Sequence, residues 1–127
     1  MAKLLIIEDE APIRANLGQL LRLEGHTVSV AENGKIGIAA AHASPPDLIL
    51  CDILMPEMDG YAVLAALRAT PEITATPFIF LTASANREER AQALKRGASD
   101  YLVKPFKIEE VLNAIEHALH EKSRGQT

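Results

Sequence analysis

Three stretches of this chain are apolar without interruption: Leu4-Leu5-Ile6-Ile7, Leu48-Ile49-Leu50-Cys51 and Phe78-Ile79-Phe80-Leu81. A strand with one face in water alternates apolar and polar residues, whereas a short unbroken run suits a strand covered on both faces. With two further β-prone runs, the expected strands cover Lys3–Ile7, Thr27–Ala31, Asp47–Cys51, Pro77–Leu81 and Asp100–Val103. A segment of helical character follows each one. Strict alternation of strand and helix implies parallel strands, right-handed crossovers and helices on both faces of the sheet. The expected fold class is therefore α/β, a single doubly wound (βα)5 domain.

The helices carry their own punctuation. Pro12 opens the first, Ile13, Leu17, Leu20 and Leu21 form its apolar stripe, and Gly25 ends it. Asn33 is placed to cap the second, which Ser44-Pro45-Pro46 stops. Asp59 caps the third, with Val63, Leu64 and Leu67 inward. Asn86 followed by Glu89 reads as a capping box for the fourth, closed by Gly97. Ile108, Val111, Leu112, Ile115 and Leu119 line the fifth. The expected domain covers residues 1–122, and the polar residues 123–127 read as a tail, with fraying from Glu121 onward.

At 127 residues there is room for one domain. A net charge of -4 with no Lys/Arg stripe, and 4% aromatic residues, argue against direct nucleic-acid binding. No apolar run is long enough to span a bilayer. The first run stops at Glu8-Asp9-Glu10, too short for a signal-peptide core. The single cysteine, Cys51, excludes an internal disulfide and agrees with a cytoplasmic setting. In its buried run it reads as a small core residue.

Function is written at the strand ends. After the first strand come Glu8 and Asp9, after the third Asp52, after the fourth Thr82 and after the fifth Lys104. In open α/β sheets ligands bind beyond these carboxyl ends. Three carboxylates gathered at one edge repel each other unless a cation lies among them. Oxygen donors of this kind suit Mg²⁺, which prefers to share a phosphate. Lys104 cannot ligate a cation, but it can neutralise an incoming anion, and the Thr82 hydroxyl can donate to a phosphoryl oxygen. Acids, lysine and hydroxyl together describe a phosphoryl site in which a carboxylate can serve as nucleophile.

Four motifs in order resemble the response-regulator receiver (CheY-like) family over essentially the whole chain. They are Ile7-Glu8-Asp9-Glu10, the run from Asp52 through Met55-Pro56 to Asp59-Gly60, Leu81-Thr82-Ala83, and the run from Gly97 through Lys104-Pro105-Phe106. The resemblance implies a sheet of order 2-1-3-4-5 and assigns roles. Asp52 is the implied phosphoacceptor. Asp9 would ligate Mg²⁺ directly, with Mn²⁺ as a substitute, Glu8 largely through water, and the Leu54 backbone carbonyl would be a further ligand. Thr82 and Lys104 would hold the phosphoryl oxygens, and Lys104-Pro105 would be a cis peptide. Tyr101 would be the switch aromatic, moving inward with Thr82 and remodelling the face of helix 4, strand 5 and helix 5. The implied partners are a sensor histidine kinase or histidine phosphotransfer protein and a downstream target or output domain. A monomer or a phosphorylation-promoted dimer is implied. Glu8 stands where many relatives carry aspartate. Leu54 and Ser84, two residues beyond Asp52 and Thr82, offer no acid or amide to orient a water, which implies moderate to slow loss of the phosphoryl group.

Each residue taken alone has a plainer reading. Glu8-Asp9-Glu10 suits a helix N-terminus, Thr82 a strand end, Lys104 a solvated surface and Tyr101 half-buried packing. Met55 and Met58 read as packing, and the four histidines form no ligand constellation. Other functions fit less well. A turnover phosphatase would want a second aspartate where Leu54 stands. A nucleotide or flavin module would want a Gly-rich loop after the first strand. A degenerate receiver would not keep the full set of acids, Thr82 and Lys104.

Overall fold

The computed structural model describes the backbone of residues 2–125 and the side chains of residues 2–122. Five strands alternate with five helices: β1 (Lys3–Ile7), α1 (Ala11–Leu23), β2 (Thr27–Ala31), α2 (Gly34–Ala43), β3 (Leu48–Asp52), α3 (Gly60–Arg68), β4 (Phe78–Thr82), α4 (Arg87–Lys95), β5 (Asp100–Val103) and α5 (Ile108–Gly125). All strand pairs are parallel, in the order β2-β1-β3-β4-β5. This is the α/β doubly wound arrangement expected.

Why the apolar runs do not alternate is visible in the two cores. Leu5, Ile7, Ile49, Cys51, Phe78 and Phe80 face one way and meet Ala41 of α2, Val63, Leu64 and Leu67 of α3 and Ala93 of α4. Leu4, Ile6, Leu48, Leu50, Ile79 and Leu81 face the other way and meet Leu17 and Leu21 of α1 and Val111, Ala114 and Ile115 of α5. Every residue of β3 and β4 is buried, while the edge strand β2 is mostly exposed. Fully burying one such side chain contributes roughly 1.5–3 kcal/mol.

Two strands differ from the sequence expectation in a way that matters. β3 and β4 each start and end one residue later, because their ladders continue: Asp52 pairs with Leu81 and Thr82 with Val103. Beyond them, Ile53 N–H donates to Leu81 O at 3.1 Å and Lys104 N–H to Thr82 O at 2.7 Å. Asp52 and Thr82 are therefore fixed by sheet hydrogen bonds rather than carried on loops.

The caps largely follow the expected residues. Asn33 accepts from Ile36 N–H at 2.8 Å and Asp59 from Ala62 N–H at 2.9 Å. Asn86 accepts from the N–H groups of Glu88 and Glu89 at 2.7 and 3.2 Å. The return half of that capping box is absent: Asn86 N–H donates to Ser84 Oγ, and the Glu89 carboxylate turns to Tyr101 instead. Gly25 and Gly97 end α1 and α4 with φ of 96° and 109°, backbone that other residues rarely adopt. In α1, Leu17, Gly18 and Leu21 make the buried seam. Leu20 lies about 100° aside from Leu21 on the helix and is 43% exposed, contrary to its place in the expected stripe. Helix α5 runs through Gly125. Of the expected tail, residues 126 and 127 lie outside the described residues. No helix among the described residues is long and apolar enough to cross a membrane.

Candidate functional site

The chain winds α1 onto one face of the sheet and α2 onto the other, so the crossovers part above β1 and β3. That divergence leaves a crevice at the carboxyl ends of the strands. Glu8 follows β1 directly and is tied to β2 by its N–H, 3.0 Å from Ala31 O. Asp52 closes β3 and Thr82 closes β4. Lys104 follows β5, and the Lys104–Pro105 peptide is cis.

The structure brings the charged members together. The Lys104 ammonium lies 2.8 Å from Glu8 Oε1, 3.4 Å from Asp52 Oδ2 and 3.8 Å from Glu10 Oε1. The Glu8 side chain is wholly buried and that of Asp52 is 5% exposed. Carboxylate oxygens of Glu8, Glu10 and Asp52 all fall within 4.8 Å of one another. Glu8 Oε2 accepts from Glu10 N–H at 3.1 Å. Glu8 Oε1 has the lysine as a charge partner but no oriented hydrogen bond, and Asp9 Oδ1 is buried without a donor. Buried acceptors normally find donors, so these oxygens mark a place where positive charge is wanted.

The electrostatics follow from this crowding. Burial, then the neighbouring Glu8 carboxylate, push Asp52 from 3.8 up to about 7, with Lys104 pulling the other way. Burial opposes the Lys104 ammonium, but its contacts with Glu8 and Asp52 outweigh that and hold it above the usual lysine range. One lysine thus stands against three carboxylates.

A second group of contacts leads away from the crevice. Thr82 Oγ1 accepts from Ser84 N–H at 3.1 Å. Tyr101, only 3% exposed, has one hydroxyl proton shared between two acceptors, Ser84 O at 3.0 Å and Glu89 Oε2 at 3.2 Å. Burial raises the Tyr101 phenol, Thr82 and Ser84 act to lower it, and Glu89 raises it further. Arg90, next to Glu89 on α4, donates to Tyr101 O at 3.1 Å and pairs with Asp100 at 3.4 Å. Consecutive α4 residues therefore hold Tyr101 at both its hydroxyl and its carbonyl. Leu54, on the loop beyond Asp52, is 75% exposed and lines a cleft with Thr82, Ser84 and Glu89.

Sequence reasoning missed three participants. In the sequence Glu10 stands out only as part of an acidic run, yet its carboxylate reaches the cluster. Glu89 has the spacing of a capping residue and instead meets Tyr101. Arg14 donates to Glu8 O at 2.7 Å and Asp9 O at 3.4 Å, gripping the acidic turn from α1. No motif spacing announces that contact; only the direction in which long helical side chains lean offers a hint. Gly60 deserves its place in the motif for a steric reason. A Cβ there would lie 2.5 Å from Asp52 O and 2.9 Å from Ile53 Cα.

Comparison with known proteins places this geometry. Residues 4–116 match the family model described as the response regulator receiver domain. The transcriptional regulatory protein ResD of Bacillus subtilis is 39% identical over 122 residues, covering 96% of this chain and 50% of ResD. The regulatory protein AtoC of Escherichia coli is 37% identical over 95% of this chain and 26% of its own length. The chain thus spans about half or less of the length of these curated relatives. The structure of the Vibrio cholerae chemotaxis protein CheY4 superposes with a TM-score of 0.88 at 31% identity, covering 93% of this chain and 98% of that one. The Francisella response regulator 1452 receiver domain gives 0.88 at 30% identity, covering 95% of this chain and 98% of that one. The chain belongs to the response regulator receiver domain family, the switch module of two-component signalling proteins.

Proposed function

We propose that Asp52 accepts a phosphoryl group from a phosphohistidine of a sensor kinase or phosphotransfer protein, and that the change is read on the surface built by α4, β5 and α5. The observation that carries this reading is the buried Asp52 carboxylate at a strand tip, with Lys104 3.4 Å away. An Asp52 oxygen attacks phosphorus, the P–N bond breaks, and the imidazole leaves as the acyl phosphate forms. Lys104 moves its charge from the carboxylates to the phosphoryl oxygens, and the Thr82 hydroxyl donates to one of them. Water later attacks phosphorus, the bond from phosphorus to the Asp52 oxygen breaks, and the carboxylate is restored as inorganic phosphate leaves.

The donor set fits a small hard divalent cation: carboxylate oxygens of Glu8, Glu10 and Asp52 lie within 4.8 Å of each other, and Glu8 Oε1 and Asp9 Oδ1 are buried without a hydrogen-bond donor. Glu8, Asp9, Asp52 and the Leu54 carbonyl would hold it, with Glu10 at the rim. Mg²⁺, or Mn²⁺ in its place, supplies charge neutralisation for the carboxylates and the phosphoryl oxygens when bound.

Thr82 then links the site to Tyr101, whose buried hydroxyl meets α4 through Glu89. A shift of Thr82 towards a phosphoryl oxygen changes the space beside Tyr101 and so the population of α4 positions. Partners of this kind place the domain in the cytoplasm, with a downstream protein or output domain as reader, and allow a phosphorylation-promoted dimer. With Leu54 and Ser84 flanking the site, self-dephosphorylation is moderate to slow; a phosphoryl half-life of seconds in the isolated protein would contradict that.

The test is intact mass after incubation with acetyl phosphate. A single phosphoryl adduct is expected, dependent on Mg²⁺ and abolished by Asp52→Asn. Failure to form both this adduct and a beryllofluoride complex would leave a phosphorylation-independent binding module.

A further inference from the structure

We infer that Arg14 is a positioning residue for the cation-binding acids: its guanidinium holds the Glu8–Asp9 backbone, and with it both carboxylates, in the geometry that receives Mg²⁺. This rests on the reading of Glu8, Asp9 and Asp52 as a metal and phosphoryl site.

The two cations near the crevice divide the work. Among the described residues, the ion pairs to Glu8, Glu10 and Asp52 all come from Lys104. Arg14 pairs with none of these carboxylates. It donates to the carbonyls behind them instead, Glu8 O at 2.7 Å and Asp9 O at 3.4 Å. Long helical side chains lean towards the helix N-terminus, which carries the guanidinium back over the turn that precedes α1.

The turn needs such a grip. Helices α2, α3 and α4 each begin with a side chain that accepts from the first-turn N–H groups. Helix α1 has Glu10 in the capping position before Ala11, and its side chain makes no cap hydrogen bond. Three consecutive acids repel each other there; Glu8 N–H bonds to β2, Glu10 N–H to Glu8 Oε2 and Arg14 N–H to Glu10 O, while Lys104 reaches the Glu8 and Glu10 carboxylates at their far ends. Arg14 adds a charged donor to carbonyls, a stronger bond than a neutral one. Its place one helical turn inside α1 makes that helix the rigid support of the site.

Two roles for Arg14 predict opposite signs. As a mere positive charge near the acids it would repel Mg²⁺, and its removal would tighten metal binding. As a positioning residue it pre-organises the donors, and its removal weakens binding. Outer contacts that orient metal ligands typically cost about 10–100-fold in affinity when lost.

The experiment compares wild type, Arg14→Gln and Arg14→Lys over the full chain. Mg²⁺ binding is measured by calorimetry and Mn²⁺ binding by electron paramagnetic resonance, at one ionic strength, with melting in EDTA recorded beside them. Expected is at least about tenfold weaker binding for Arg14→Gln, with part of the loss recovered in Arg14→Lys. The half-saturating Mg²⁺ for phosphorylation by acetyl phosphate should rise in step, while the rate at saturating Mg²⁺ returns towards wild type. Equal or tighter binding by Arg14→Gln overturns the inference. If that variant does not fold, unchanged metal affinity in Arg14→Lys overturns it. Wild type that binds neither Mg²⁺ nor Mn²⁺ removes the metal-site reading itself, and the role of Arg14 with it.

Discussion

Glu8 Oε1 and Lys104 Nζ lie 2.8 Å apart, joining the end of β1 to the end of β5 across the two strands between them in the sheet. The Glu8 side chain is fully buried and the lysine is 15% exposed, so the lysine is the main compensation for that charge.

Lys104→Met should therefore destabilise the metal-free protein. Removing one partner of a buried pair costs roughly 3–5 kcal/mol, and the partial exposure of Lys104 puts the expected loss towards or below the lower figure. Added Mg²⁺ should restore much of it by supplying the missing charge. Urea unfolding in EDTA and in excess Mg²⁺ measures both; equal losses in the two conditions would count against the charge argument.

Asp52 gives a pH dependence of defined sign. Its carboxyl is raised from 3.8 to about 7. Below about 4 it is protonated folded or unfolded and contributes nothing to stability. As pH rises, the unfolded chain ionises first, and the folded state is increasingly penalised until pH passes about 7. The amide in Asp52→Asn avoids that penalty. In EDTA the variant should be more stable than wild type above pH 7, by at most about 4 kcal/mol for a shift of this size. The gap should close towards pH 4. A gap independent of pH would show that Asp52 ionises normally in the fold.

Tyr101 and Glu89 should prove energetically coupled. Their hydrogen bond, 3.2 Å long, runs from a buried ring to the side chain of Glu89, which is exposed to water. A double-mutant cycle with Tyr101→Phe and Glu89→Ala is expected to show about 0.5–1.5 kcal/mol of interaction energy. Additive effects would mean that α4 does not sense the tyrosine through Glu89.

Gly60→Ala should be costly, since the new methyl would meet Asp52 O at 2.5 Å and Phe80 Cε1 at 2.9 Å. Backbone cannot yield as a flexible side chain does, and overpacking of this kind costs typically about 1–3 kcal/mol. Because Gly60 N–H also donates to Ile53 O at 2.8 Å, the displacement should reach Asp52 and slow phosphorylation. Melting temperature and adduct formation measured together separate this from a purely local defect.

The Leu4–Ile7, Leu48–Cys51 and Phe78–Leu81 runs determined the architecture by themselves, because a strand covered on both faces cannot afford a polar side. The ends of those runs likewise placed Glu8, Asp9, Asp52 and Thr82 at one edge, and the end of the fifth strand added Lys104, since parallel strands all point the same way. Asn33, Asp59 and Asn86 were legible as caps because their bonds reach only two or three residues along the chain. Tertiary structure alone decided the contacts that cross between elements. It turned Glu89 from its own helix cap to Tyr101, and it left Leu20 outside the seam of α1. It also brought Glu10 to Lys104 and laid Arg14 over the acidic turn. Such contacts depend on how a helix rotates and tilts against the sheet, and that is settled by the packing of the whole core rather than by any local run of residues.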